Sequence, residues 1–155
     1  MKIKIVALLI LSFATLSVRA QDESKGRVKN FNHEKGLALQ GFDPVAYFST
    51  GKPTEGNAGI SAEVNGIVYR FSTAKHKQMF MANPALYEPQ YGGWCAYAMG
   101  KSAEKVEVDP ETFKIVNGKL YLFYNAYFNN TLKKWNEDES KLKTNADKNW
   151  NQLKL

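Results

Sequence analysis

Ile60-Ser61-Ala62-Glu63-Val64-Asn65-Gly66-Ile67-Val68-Tyr69-Arg70-Phe71 reads as a β-hairpin. Apolar and polar residues alternate on both sides of Asn65-Gly66, the period of a half-buried strand. Both central residues of a type I′ turn need φ > 0, which asparagine and glycine tolerate best. A two-residue loop then pairs Val64 with Ile67, Ala62 with Tyr69 and Ile60 with Phe71, and places all six on one face. Phe113-Lys114-Ile115-Val116 and Lys119-Leu120-Tyr121-Leu122-Phe123 repeat the arrangement about Asn117-Gly118. In that second hairpin Phe113, Ile115, Leu120 and Leu122 share a face.

Working outward, Leu37-Ala38-Leu39 fits a short strand, and Asp43-Pro44 fits a helix start with Asp43 as cap and Pro44 in the first turn. Gly51 to Gly59 is loop. Ser72 or Thr73 caps a helix that runs to about Ala82, where Asn83-Pro84 stops it and opens a short turn through Tyr87. Tyr91-Gly92-Gly93-Trp94-Cys95 is a loop leading into a short helix or strand. Asp109-Pro110 marks a further turn. Tyr124, Tyr127, Phe128, Leu132 and Trp135 recur at helical spacing, as do Leu142, Ala146, Trp150 and Leu153. They predict two amphipathic C-terminal helices joined near Asn136 to Glu139, with the aromatic stripes as core. Helix-turn, hairpin, helix, irregular loop, hairpin and two helices make a small single-domain α+β fold, with antiparallel hairpins packed against helices.

The first 20 residues carry a separate message. Lys2 and Lys4 precede an apolar run from Ile5 to Val18, and Val18-Arg19-Ala20 supplies small residues at a cleavage site. This is the pattern of a secretory signal peptide, which predicts a periplasmic or secreted protein with no membrane span after cleavage. Residues 21–36, polar and charged with one phenylalanine, read as a flexible arm, and residues 37–155 as the domain. Removal of Lys2, Lys4 and Arg19 lowers the formal net charge from +6 to +3. The remaining lysines are interrupted by Glu137, Asp138, Glu139 and Asp147, a solvated face rather than a nucleic-acid stripe. With one cysteine the chain has no intrachain disulfide, so its stability must come from burial, for which 8 Tyr, 9 Phe and 3 Trp are ample.

The chemistry-bearing residues are few. Cys95 is the single cysteine; His33 and His76 are the two histidines. No G-x-S-x-G, H-E-x-x-H, C-x-x-C, P-loop or G-x-G-x-x-G is present, and no local motif announces a Ser-His-Asp arrangement. Cys95 and His76 are the one candidate pair. Thiolate and imidazole suit a soft or borderline metal such as copper or zinc, with Met79 or Met99 as a further thioether. The same pair, with the imidazole as base, would make a thiol nucleophile. Alternatively His76 belongs to a surface helix and Cys95 fills core. Tyr91, Trp94 and Tyr97 define a third option, an apolar-ligand pocket or protein-interaction surface. Gly92-Gly93 fits either that pocket or the close packing of bulky neighbours.

Four further stretches carry a resemblance: Gly41-Phe42-Asp43-Pro44-Val45-Ala46-Tyr47-Phe48, Val64-Asn65-Gly66-Ile67-Val68-Tyr69-Arg70-Phe71-Ser72, Phe80-Met81-Ala82-Asn83-Pro84-Ala85-Leu86-Tyr87, and Pro89-Gln90-Tyr91-Gly92-Gly93-Trp94-Cys95-Ala96-Tyr97. In this order, and continuing to Ala146-Asp147-Lys148-Asn149-Trp150, the chain resembles the exported, stand-alone YHS domain proteins of bacteria. The resemblance implies a metal-handling role, because shorter YHS modules carry D-P-V-C-G and Y-x-F-C-S-x-x-C motifs whose thiols are thought to bind soft metals. Here Ala46, Ser72 and His76 stand where those cysteines would be. The resulting expectation is an exported binding domain for a transition metal at Cys95 and His76. A thiol enzyme and an apolar-ligand or protein-interaction module are the alternatives.

Overall fold

The computed structural model describes residues 24–154. The signal-peptide reading of residues 1–20 lies outside them. Within them the chain is a small α+β domain. Residues 24–30 form α1, where an arm was expected. Strands β1 (His33–Glu34) and β2 (Leu37–Ala38) and helix α2 (Ala46–Ser49) follow. Next come β3 (Asn57–Val64), β4 (Ile67–Phe71), α3 (Ala74–Ala82) and α4 (Ala96–Ser102). The chain closes with β5 (Asp109–Val116), β6 (Lys119–Phe123), β7 (Asn125–Ala126), β8 (Asn129–Asn130), α5 (Thr131–Glu137) and α6 (Glu139–Leu153).

Both Asn-Gly hairpins form. Asn65 and Gly66 have φ of 49° and 82°, Asn117 and Gly118 of 51° and 70°, so all four residues sit in the left-handed region a type I′ turn demands. Val64 pairs with Ile67 and Ala62 with Tyr69 as the alternation predicts, but Phe71 pairs with Asn57 rather than Ile60. A bulge between Asn57 and Ser61 absorbs the extra residues and releases Ile60 from the ladder. In the second hairpin Phe113 faces Leu122 and Ile115 faces Leu120. Asp109-Pro110 opens β5 instead of forming a separate turn.

The main sheet has the order β1-β2-β4-β3. Its β2–β4 step is parallel, through Leu37 opposite Val68, which the hairpin patterns did not foretell. β6 is the hinge of the packing. Leu120 and Leu122 join one core cluster with Ile67, Tyr69, Phe71, Phe80 and Cys95. Tyr121 and Phe123, on the opposite face, join a second with Tyr91, Met99, Trp135 and Ala146. A strand buried on both faces between two clusters ties the β-rich half to the helical half.

The C-terminal reading is corrected in part. α6 carries Leu142, Ala146 and Trp150 as predicted. Tyr124, Tyr127 and Phe128 are not helical: Tyr127 and Phe128 form the tip between β7 and β8, with φ of 50° and 61°. Their rings stand in solvent at 91 % and 112 % relative exposure, so this part of the aromatic stripe is not core. Only Leu132 and Trp135 of that stripe lie on α5.

α4 and α6 approach so closely that Gly100 has no room for a side chain. An added Cβ would lie 2.3 Å from the Leu142 carbonyl oxygen and 3.0 Å from its carbon. Backbone cannot rotate aside, so Gly100→Ala must push the helices apart. Urea unfolding is expected to show a loss of about 2–3 kcal/mol. A loss within 0.5 kcal/mol, the usual range for neutral substitutions, would show that the contact is not held this tightly.

Candidate functional site

Cys95 precedes α4, and its amide donates to the Val106 carbonyl at 3.0 Å. The side chain is fully buried. Its Sγ accepts from the Tyr124 N–H at 3.4 Å and lies 3.4 Å from Thr131 Oγ1. Thr131 donates its hydroxyl hydrogen to the Tyr124 carbonyl at 2.8 Å. The Thr131 oxygen is therefore the acceptor toward sulfur, and the thiol hydrogen points to it. Cys95 thus pins the start of α4 to the end of β6 and the start of α5.

His76 has a different set of partners. It stands in the first turn of α3, whose cap is Thr73, with the Thr73 hydroxyl accepting from the His76 amide at 3.1 Å. Its Nδ1 is 2.6 Å from Asp43 Oδ2 and its Nε2 is 3.2 Å from Ser49 Oγ. Asp43 is wholly buried. Its Oδ1 also accepts from the Val45 amide at 2.9 Å, and its Oδ2 from the Ser72 amide at 2.8 Å and the Ser72 hydroxyl at 2.6 Å. Burial pushes the carboxyl up, but the hydrogen bonds from Ser72, His76 and Val45 outweigh it and hold Asp43 below the ordinary carboxylate range. The predicted cap at Asp43 is thus real as an acceptor for Val45, although α2 begins at Ala46.

The Cys95 and His76 partner sets share no residue. Among the described residues no group of three or more His, Cys, Asp and Glu side chains gathers as a metal cage. Met79 packs at the margin of the first cluster, and Met99 is sealed within the second. The structure supplies a different grouping: Asp43 from the turn before α2, Ser49 from α2, Ser72 just after β4 and His76 from α3.

The three aromatic candidates also separate. Tyr91 donates its hydroxyl to Asp147 Oδ1 at 2.9 Å and packs on Tyr121. Trp94 donates Nε1–H to the Asn30 carbonyl at 2.7 Å, anchoring α1. Gly92, with φ of 60°, lies against the Trp150 ring, where a Cβ would meet Cζ2 at 3.1 Å and Cη2 at 2.8 Å, so the glycine pair here serves packing. Tyr97 lines a cleft over Cys95. That cleft, of about 490 Å3, is lined by Cys95, Tyr97, Ala98, Val106, Tyr124, Asn129 and Thr131. Lys101, Ser102 and Glu104 stand exposed at its mouth, with the Lys101 ammonium 5.9 Å above the Tyr97 ring.

No protein-family model, curated protein or solved structure matches the chain. No helix among the described residues is long and apolar enough to cross a membrane.

Proposed function

We propose that this chain is an exported, YHS-type binding module that takes a small, largely apolar ligand in the cleft over Cys95. The observation that carries this reading is the cleft itself. Its walls include the rings of Tyr97 and Tyr124 and the side chains of Ala98 and Val106, with polar groups from Asn129 and Thr131 beside them and from Lys101, Ser102 and Glu104. Apolar walls with a small number of placed polar groups are the usual form of a ligand site. At the mouth Lys101 supplies one cationic donor and Glu104, which accepts from the Ser102 hydroxyl at 2.8 Å, one anionic acceptor, a pairing that suits a ligand with a polar, hydroxylated end. The metal reading would require Cys95 and His76 to meet on one ion, and each is engaged with its own protein partners. The thiol-enzyme reading requires His76 as base to Cys95, whereas the His76 ring nitrogens face Asp43 and Ser49.

Titration with the fluorescent probe ANS, competed by lauric acid, tests the proposal. The native chain is expected to bind the probe saturably, and Val106→Trp, which fills the cleft from its half-buried wall, to weaken binding by about tenfold or more. Binding unchanged in Val106→Trp would reject the cleft. Stoichiometric Cu(I) binding that disappears in Cys95→Ala would replace this reading with the metal one.

A further inference from the structure

We propose that Ser49, His76 and Asp43 form a nucleophilic relay that accepts an acyl group from activated esters. The position of the imidazole proton follows from the carboxylate beside it. Asp43 is ionised and can only accept, and its Oδ2 lies 2.6 Å from His76 Nδ1. The imidazole hydrogen therefore sits on Nδ1, which leaves the Nε2 lone pair facing outward. Ser49 Oγ is 3.2 Å from that Nε2, so its hydroxyl is the donor. Acid, imidazole and alcohol are thus connected in the order, and through the nitrogens, that a serine nucleophile requires.

Each member has the environment its role needs. Asp43 is fully buried and held by further hydrogen bonds from Val45 and Ser72, so it cannot swing away from the ring. His76 is mostly enclosed, with a side-chain exposure of 14 %. Ser49 is exposed, so a substrate reaches its oxygen with no opening of the fold. The residues lie 27 and 33 positions apart in sequence and come from two helices and the turn before the first. None of them lines the cleft over Cys95, so the relay is independent of the binding function proposed there.

The step balances without a cofactor. Ser49 Oγ attacks the ester carbonyl carbon as its proton moves to Nε2, and Asp43 stabilises the imidazolium. The tetrahedral adduct expels the alcohol oxygen, which takes the proton back from Nε2. Water, deprotonated by Nε2, then releases the acid, so ester and water become acid and alcohol. Ser49 closes α2, and a helix end presents carbonyls rather than amides. The α2 terminus therefore opposes a developing oxyanion, whereas the first turn of α3, which carries His76, presents amides. Donors with good leaving groups, such as aryl esters, demand the least stabilisation of the tetrahedral adduct and are therefore the expected substrates, ahead of amides.

The test uses p-nitrophenyl acetate on the full chain, with the adduct located by peptide mass spectrometry. Acetylation is expected at Ser49, absent in Ser49→Ala, and slowed about 100-fold in His76→Gln, the contribution typical of a positioned general base. Acetyl groups spread over lysines with Ser49 unmodified would overturn the proposal. So would Ser49 acetylation at an unchanged rate in His76→Gln. Because Ser49 is exposed, Ser49→Ala keeps the fold and decides the question even if His76→Gln is less stable.

Discussion

Asp43→Ala is expected to destabilise the domain by about 3–5 kcal/mol, the range seen when one partner of a buried charged network is removed. The carboxylate receives the Val45 amide, the Ser72 amide, the Ser72 hydroxyl and the His76 imidazole. These donors belong to the turn before α2, the end of β4 and the first turn of α3. Removing their common acceptor leaves the Val45 and Ser72 amides short of a partner in the interior. Asp43→Asn keeps the shape and one acceptor oxygen, so its cost should be smaller. Urea midpoints for the two variants measure both. A loss below about 1 kcal/mol in Asp43→Ala, an ordinary surface value, would show that water replaces the carboxylate.

The same network sets an acid limit. Asp43 titrates below its ordinary value in the folded state, so the unfolded chain takes up its proton first as the pH drops. The stability it contributes is complete above the unfolded carboxyl value of about 3.9 and is lost as pH falls through the folded one. Unfolding midpoints of the wild type should therefore decline below about pH 4, and Asp43→Ala should show a shallower decline.

Local chemistry was legible wherever the backbone's own demands chose the residue. Asn65-Gly66 and Asn117-Gly118 announce their turns because few other pairs accept φ > 0 twice, and Thr73 and Asn83-Pro84 bound α3 for similar reasons. What long-range contacts decide was not legible. α1 has no apolar stripe; it is held by Arg27, which pairs with Glu88 and lies over the Phe31 ring at 4.2 Å, and by the Asn30 carbonyl that receives Trp94. The bulge that frees Ile60 depends on Phe71 meeting Asn57 across the sheet. The relay was not legible because Asp43 was explained locally as a cap and His76 was paired with Cys95, the conspicuous thiol, rather than with a residue 27 or 33 positions away. Ser49 had no distinguishing neighbour at all. Cys95, the most conspicuous residue in the sequence, is one whose hydrogen bonds are all satisfied within the fold.

Trp135→Ala and Phe128→Ala separate two residues that the sequence presents alike, and their expected effects differ most. Both aromatics lie on one helical-period stripe. Trp135 is fully buried, 5.6 Å from the Phe123 ring and 5.8 Å from the Tyr121 ring, at the point where α5 meets β6. Its removal deletes the largest side chain of the second cluster, and the neighbouring rings of a β-strand cannot collapse into the space. The expected cost is about 3–5 kcal/mol. Phe128 sits on the β7–β8 tip with its ring in water, so Phe128→Ala should stay within about 0.5 kcal/mol of the wild type. Thermal and urea unfolding of the pair is a direct measurement of which residues the C-terminal half buries. Comparable losses in both variants would mean that the tip folds back onto the core and that the stripe is helical after all. The predicted contrast would instead confirm that periodicity alone cannot tell a helix from a hairpin tip carrying aromatic residues, since burial against Tyr121 and Phe123 is what selects Trp135 for the core.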